Sequence, residues 1–306
     1  MSMPARHLLT TDDLSLDAIS SIIERASHFL TPTGLCQETL DTLSSKRFVL
    51  AFFEPSTRTR LSFESAVERT GASCVHFTEA GSSVEKGESL RETIRTIESM
   101  GFDGIIMRHA ENGTHARIAS QTSMSVINAG EGTNSHPTQA LLDASTIRER
   151  YGSIDGRRIV IVGDLLHSRV ARSTASLLSR LGAEVAWCAP SSLAPLDTST
   201  MTRRIESVES AMQWADVVFV LRIQRERIIT DVGPHFEAYR RLYAVTQELA
   251  NAYSDVTIMH PGPVNVGVEL DEAVLDMPQC LVHRQVTHGV AIRMSVLEHY
   301  CRATTI

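Results

Sequence analysis

The chain is predicted to be an α/β protein with two doubly wound parallel-sheet domains and a C-terminal helix packing back on the first domain. Three observations carry this. Apolar runs too short for helices alternate with segments of helical period along the chain. The short connections between them make successive strands parallel, with helices on both faces. A turn-rich stretch at 151–156 separates two halves of similar architecture but no shared sequence repeat. The expected domains are therefore 1–150, completed by the helix 286–306, and 151–285.

In the first half, residues 14–29 have helical spacing, with Asp12 or Ser15 to cap them. Residues 47–53 form a buried strand that Pro55 ends. Ser56 or Thr57 caps the helix that follows, which turns Phe63, Ala66 and Val67 to one face. Residues 73–77 alternate and are rich in β-formers, giving a second strand. Residues 79–89 form a polar, glycine-bracketed loop, and 90–100 return to helical period. A short strand at 104–107 ends at Arg108, 114–121 read as a helix and 125–128 as a strand. After a loop at 130–135, His136-Pro137-Thr138-Gln139 opens a helix to about Arg150.

The second half repeats the alternation. Strands are expected at 158–162, 184–188, 217–221 and 256–259, and helices at 170–181 and 207–214. The strand at 217–221 runs into Arg222-Ile223-Gln224, and that at 256–259 into His260-Pro261-Gly262-Pro263. The last helix is expected from about Val286 to Arg302.

Composition narrows the function. A 306-residue chain with 42% hydrophobic and 21% charged residues has the make-up of a globular protein of two domains. The net charge of -7 argues against a nucleic-acid partner. Five scattered cysteines without a CxxC pair suggest reduced thiols, no zinc cluster and a cytoplasmic setting. No apolar run reaches transmembrane length, and residues 1–10 lack the apolar core of a signal peptide, so no membrane partner is expected.

The segment Ser56-Thr57-Arg58-Thr59-Arg60 gathers hydroxyls, a guanidinium and free helix-terminal N–H groups, a donor set that suits a phosphate. In an acidic protein such a site is a local positive pocket. Nucleotide binding is disfavoured: Gly163-Asp164 lacks the G-x-G-x-x-G spacing, and no Walker lysine motif occurs. Only Lys46 and Lys86 are lysines, so Lys86 in its polar loop calls for a reason.

Four segments bear on chemistry: Ser56-Thr57-Arg58-Thr59-Arg60, Arg108, His136-Pro137-Thr138-Gln139 and His260-Pro261-Gly262-Pro263. In this order and on this pattern, the chain resembles the aspartate/ornithine carbamoyltransferase family over nearly its whole length. The resemblance is to the aspartate branch. Ornithine members carry a cysteine-containing H-C-L-P segment where this chain has His260-Pro261-Gly262-Pro263, and Arg222-Ile223-Gln224 matches the aspartate R-x-Q. The implied activity is transfer of the carbamoyl group of carbamoyl phosphate to L-aspartate, an early step of pyrimidine synthesis. No cofactor and no metal are implied.

The residue roles follow from the same resemblance. Ser56, Thr57, Arg58 and Thr59 would hold the phosphate, and Arg108 both phosphate and carbonyl. Thr59, Arg108 and His136 would donate to the oxygen of the tetrahedral centre, Gln139 would face the carbamoyl NH2, and Pro261 and Gly262 would offer backbone groups. Arg169, Arg222 and Gln224 would meet the carboxylates of aspartate. Lys86 and Ser82, with the adjacent Ser83 as the alternative, would reach a neighbouring subunit's site and bind carbamoyl phosphate there, Lys86 also meeting aspartate; Lys86 joins Arg58, Thr59, Arg108 and His136 in the catalytic set.

Shared sites imply a homotrimer, with room for higher assembly with a regulatory chain or dihydroorotase. The competing readings are a transcarbamoylase for another amine such as ornithine, and a silent scaffold for dihydroorotase. Arg60 is expected to pair with Glu64 rather than take part in the chemistry, and His260 to pack rather than bind a ligand. His167, His283 and His288 suit local hydrogen bonds, and Arg225, Glu226 and Arg227 a solvated charge run. The chain departs from the family pattern at Val266, where a basic residue is usual.

Overall fold

Residues 6–78, 87–223 and 236–301 are described by the computed structural model. Ser82, Ser83, Lys86, Gln224, Arg225, Glu226, Arg227 and Arg302 lie outside the described residues. The chain divides into two compact units, Met1–Ser145 with Val286–Ile306, and Thr146–Gln285. No helix among the described residues is long and apolar enough to cross a membrane.

In the first unit, α1 (Leu16–Ser27) starts at Ser15, whose Oγ accepts from the Ala18 N–H at 3.1 Å. A two-residue hairpin follows, β1 (Leu30–Thr31) against β2 (Gly34–Leu35), too short to leave a periodic signal. Then come β3 (Arg47–Phe52), α2 (Thr57–Arg69), β4 (Ser73–Phe77), α3 (Leu90–Ser99), β5 (Gly104–His109), α4 (Thr114–Ala119), β6 (Ser125–Glu131) and α5 (Pro137–Tyr151). The four longer strands form one parallel sheet in the order β4-β3-β5-β6. Phe48, Val49, Leu50 and Ala51 are all buried, because a parallel strand covered on both faces has no solvent side to alternate with. Gly104 opens β5 where an added Cβ would meet the Phe48 ring at 2.9 Å.

The second unit contains β7 (Arg158–Val162), α6 (Arg169–Arg180), β8 (Glu184–Cys188), β9 (Arg203–Arg204), α7 (Val208–Trp214), β10 (Val217–Val220), α8 (Phe236–Tyr243), α9 (Gln247–Ala252) and β11 (Thr257–Met259). Its parallel sheet runs β11-β10-β7-β8-β9. The sequence reading did not include β9, α8 or α9. These are two-, eight- and six-residue elements whose apolar positions are too few to set a period.

The last helix, α10 (Val282–Cys301), begins four residues before the expected Val286, and the division between the units falls inside it. Its later turns are tied to the first unit. Arg25 donates from Nε and Nη2 to Glu298 at 2.6 and 3.0 Å, and Ser295 Oγ donates to the Ile22 carbonyl at 2.8 Å. Arg293 Nη1 donates to Ser62 Oγ on α2 at 2.9 Å. Gly289 makes room for this: a Cβ there would lie 2.6 Å from Arg293 Nη1. The expected Arg60–Glu64 pair is not among the ion pairs of the described residues. Glu64 instead lies 3.2 Å from His76 Nε2 on the neighbouring β4.

Strand order matters for function. A ligand binds a doubly wound sheet where the winding reverses, beyond the carboxyl ends of the two strands that flank that point. In the first unit the reversal lies between β3 and β5, and in the second between β7 and β10.

Glu131 closes β6 and sets the loop leading to His136. Its Oε1 accepts from the His115 backbone N–H at 3.0 Å and faces His115 Nδ1 at 3.0 Å, its Oε2 accepts from Asn134 Nδ2 at 3.0 Å, and its own N–H donates to the Ser135 carbonyl at 2.9 Å. Burial pushes the carboxyl up, but the hydrogen bonds from His115 and Asn134 outweigh it and hold the group at about 2. A folded-state value below the unfolded one contributes stability that is complete above the ordinary glutamate value of 4.5 and is lost as pH falls toward 2. Glu131→Gln is therefore expected to lose ~2–3 kcal/mol at pH 7. Urea denaturation of both proteins from pH 7 to pH 2 checks this: the difference should shrink below pH 4.5, and a constant difference would contradict it.

Candidate active site

In each unit the candidate residues lie on loops at the carboxyl ends of adjacent parallel strands. In the first unit, Phe52 of β3 pairs with Arg108 of β5, and the Phe53 N–H donates to the Arg108 carbonyl at 2.9 Å. The chain then turns at Pro55 and enters α2. Ser56 occupies the N-cap position in an extended conformation (φ -160°, ψ 98°), yet its hydroxyl makes no cap bond, and no acidic residue lies in the first turn. The positive end of the helix thus meets no carboxylate of its own first turn. Thr57 and Arg58 are exposed, Ser56 is half-buried and Thr59 is buried.

Arg108 is nearly buried and held from two sides. Its Nε lies 3.1 Å from Glu54 Oε2, and its Nη1 donates to the Ala129 carbonyl at 3.4 Å. The β5–β6 register slips here, from Met107 opposite Asn128 to His109 opposite Glu131. Ala129 and Gly130, the latter at φ +123°, thus stand opposite the single residue Arg108. Such a bulge re-aims the side chain opposite it. Glu54, beside the first motif, was not singled out in the sequence; its place at the end of the strand, before Pro55, was the available signal.

His136 and Gln139 arrive by α5, which follows β6, the neighbour of β5. The His136 carbonyl accepts from the Gln139 and Ala140 N–H groups at 3.0 and 3.2 Å, with Pro137 as the first helical residue. Gln139 Nε2 donates to Asp143 Oδ1 at 2.9 Å, one turn further on. With its NH2 so engaged, the amide presents its oxygen as an acceptor. Asp143 is a second residue that the sequence reading missed; its signal was the i,i+4 spacing from Gln139.

In the second unit, Arg169, Arg222, and Pro261 with Gly262 follow the carboxyl ends of β7, β10 and β11. After β7, Gly163 turns at φ +117°, where a Cβ would lie 3.1 Å from the Leu221 carbonyl oxygen. Asp164 Oδ1 accepts from the His167 N–H at 3.1 Å and faces its Nδ1 at 3.0 Å, so His167 makes the local bond expected of it. Ser168 Oγ accepts from the Ala171 N–H at 3.1 Å and caps α6, of which Arg169 is the first residue. Arg222 follows β10 and is exposed; the Leu221 N–H donates to the Val162 carbonyl at 2.8 Å, keeping the ends of β10 and β7 adjacent. The planar guanidinium forks of Arg169 and Arg222 suit carboxylates.

His260 follows β11 and is buried. Its N–H donates to Gln285 Oε1 at 2.9 Å, its Nδ1 accepts from the Gly262 N–H at 2.7 Å, and its Nε2 lies 3.3 Å from Glu269 Oε1. It packs and orients the turn, as the sequence suggested. The turn itself has a cis Gly262–Pro263 bond and Gly262 at φ +65°.

Residues 6–149 match the family model described as aspartate/ornithine carbamoyltransferase, carbamoyl-P binding domain, and residues 155–300 match that of the Asp/Orn binding domain. The aspartate carbamoyltransferase catalytic subunit of Akkermansia muciniphila is 43% identical over 302 residues, covering 98% of each chain. That of Gemmatimonas aurantiaca is 45% identical over 294 residues, covering 95% of this chain and 92% of its own. Among solved structures, aspartate transcarbamoylase from Trypanosoma cruzi in complex with carbamoyl phosphate superimposes with a TM-score of 0.90 at 31% identity, covering 99% of this chain and 97% of its own. The catalytic subunit of M. jannaschii aspartate transcarbamoylase gives 0.85 at 34% identity, covering 97% of this chain and 98% of its own. With both domain models matched in order along the chain, this protein belongs to the aspartate/ornithine carbamoyltransferase family.

Proposed function

We propose that the chain is an aspartate carbamoyltransferase catalytic chain, joining carbamoyl phosphate to L-aspartate to give N-carbamoyl-L-aspartate and phosphate. The observation that carries this is the register pairing of Phe52 with Arg108, which brings the strand end bearing the buried Arg108 level with the turn into α2.

Ser56, Thr57, Arg58 and Thr59 hold the phosphate through hydroxyls, backbone N–H groups and the Arg58 guanidinium. Arg108 bridges phosphate and carbonyl. The carbonyl oxygen gains negative charge as the aspartate amine adds to its carbon, and Thr59, Arg108 and His136 donate to it. Gln139 Oε1 accepts from the carbamoyl NH2, with its own NH2 anchored on Asp143. Pro261 and Gly262 add backbone groups. Collapse of the tetrahedral centre breaks the carbonyl-carbon–oxygen bond to phosphate, which leaves with that electron pair. The departing phosphate also takes the amine proton. Arg169, Arg222 and Gln224 hold the two carboxylates of aspartate, and holding both reactants in place supplies much of the rate.

The working form is a homotrimer in which Ser82 and Lys86 reach the site of a neighbouring subunit. The exposed apolar Leu61 on α2 and Val75 on β4 support a second copy here, since such side chains are commonly covered in an interface. The setting is cytoplasmic, and a regulatory chain or dihydroorotase is a further partner of the trimer.

Incubation with carbamoyl phosphate and either L-aspartate or L-ornithine is expected to yield the carbamoylated product with aspartate alone. Product from ornithine alone would overturn the substrate assignment. Phosphate-analogue binding without turnover on either amine would favour a silent scaffold. Shared sites are tested separately: Lys86→Ala and Arg108→Ala should each lose nearly all activity, and mixing them after dissociation should restore part of it through hybrid trimers with one intact composite site. No recovery on mixing would count against the sharing.

A further inference from the structure

Arg222 is exposed and lies where β10 has already ended, so the backbone that carries it needs an anchor outside the sheet. The anchor comes from the turn after β11. Asn265 Nδ2 donates to the Ile223 carbonyl at 2.7 Å, immediately after Arg222. Asn265 is itself fixed, because its own N–H donates to Glu269 Oε1 at 2.6 Å. The same Glu269 oxygen lies 3.3 Å from His260 Nε2, with both side chains fully buried. Since His260 Nδ1 accepts from the Gly262 N–H, the ring proton belongs on Nε2, facing Glu269. One buried carboxylate thus lies against the His260 ring of the Pro261–Gly262 turn and binds the Asn265 backbone that anchors the Arg222 segment.

We propose that Asn265 is a positioning residue for amino-acid recognition, holding the Ile223 carbonyl so that Arg222 presents its guanidinium to a substrate carboxylate in register with the Pro261–Gly262 turn. This rests on the reading of Arg222 as a carboxylate ligand given above. Asn265 touches no substrate in this account; it acts through Arg222. Asparagine suits the place because one short side chain supplies the donor while its main chain stays bound to Glu269.

The test compares Asn265→Asp, Asn265→Ala, Arg222→Ala and the Arg222→Ala/Asn265→Ala double variant in the full chain. Asn265→Asp keeps the volume and the main-chain N–H but turns the donor into a carboxylate oxygen that repels the Ile223 carbonyl and adds a charge near Glu269, so it breaks the contact even should Asn265→Ala fail to fold. Loss of that one hydrogen bond is expected to raise the KM for L-aspartate about tenfold. The KM for carbamoyl phosphate should stay within about twofold of the parent. A loosened fold would lower the active fraction, and kcat with it, leaving both KM values alone. In the double variant, the Asn265 change should raise the aspartate KM no further than Arg222→Ala does, because its route is already cut. An unchanged aspartate KM in Asn265→Asp, or full additivity in the double variant, would overturn the proposal. An unchanged aspartate KM in Arg222→Ala would overturn the reading of Arg222 itself.

Discussion

Parallel pairing of β3 with β5 is the constraint on which the first unit's candidate site depends. The two strands are adjacent in the sheet but separated in sequence by β4 and α3, so their carboxyl ends open a crevice that no crossover covers. Into it one strand delivers a helix N-terminus lined with hydroxyls, and the other delivers Arg108. The Phe53 N–H bond to the Arg108 carbonyl fixes their relative height, and the bulge opposite Arg108 sets its direction. In the proposed reading, a chain with a net charge of -7 holds a phosphate through local donors, whatever the overall charge.

The second unit solves a different problem with the same topology. Aspartate carries two carboxylates at fixed spacing, so its partners need orientation more than charge density. Arg169 is fixed by the capped start of α6. Arg222 lies beyond its strand and takes its order from Asn265 and Glu269. The buried Glu269 carboxylate near His260 and the Asn265 N–H is matched in the first unit by Glu131, which binds His115 and Asn134 and sets the approach to His136. In each unit a buried carboxylate, outside the proposed contacts with substrate, shapes the loop that carries them.

The sheet and its ligand-facing ends were legible because buried parallel strands leave continuous apolar runs, as at Phe48–Ala51, and because Ser56-Thr57-Arg58-Thr59 and His136-Pro137-Thr138-Gln139 combine functional types at tight spacing. The supporting shell was not. Glu54, Asp143, Asn265 and Glu269 are ordinary polar residues whose partners lie up to 54 positions away, as Glu54 and Arg108 do, or across the unit, as Asn265 and Ile223 do. The Arg60–Glu64 expectation failed for the same reason: helical spacing made it available, but β4 brought His76 to Glu64 instead. Short polar elements such as α9 left too few apolar positions to read. Val266 is exposed, and nothing in the structure explains its departure from the family pattern.

The central claim is that the α2 N-terminus is the phosphate cradle. Equilibrium binding of carbamoyl phosphate alone, by titration calorimetry on the wild-type chain and on Arg58→Ala, tests it most directly. Arg58 is exposed, so its removal should leave the fold and melting temperature unchanged. Carbamoyl phosphate affinity is expected to fall by a factor on the order of tenfold to a hundredfold, the loss of one charge-assisted contact. Equal affinity in the two proteins would contradict it.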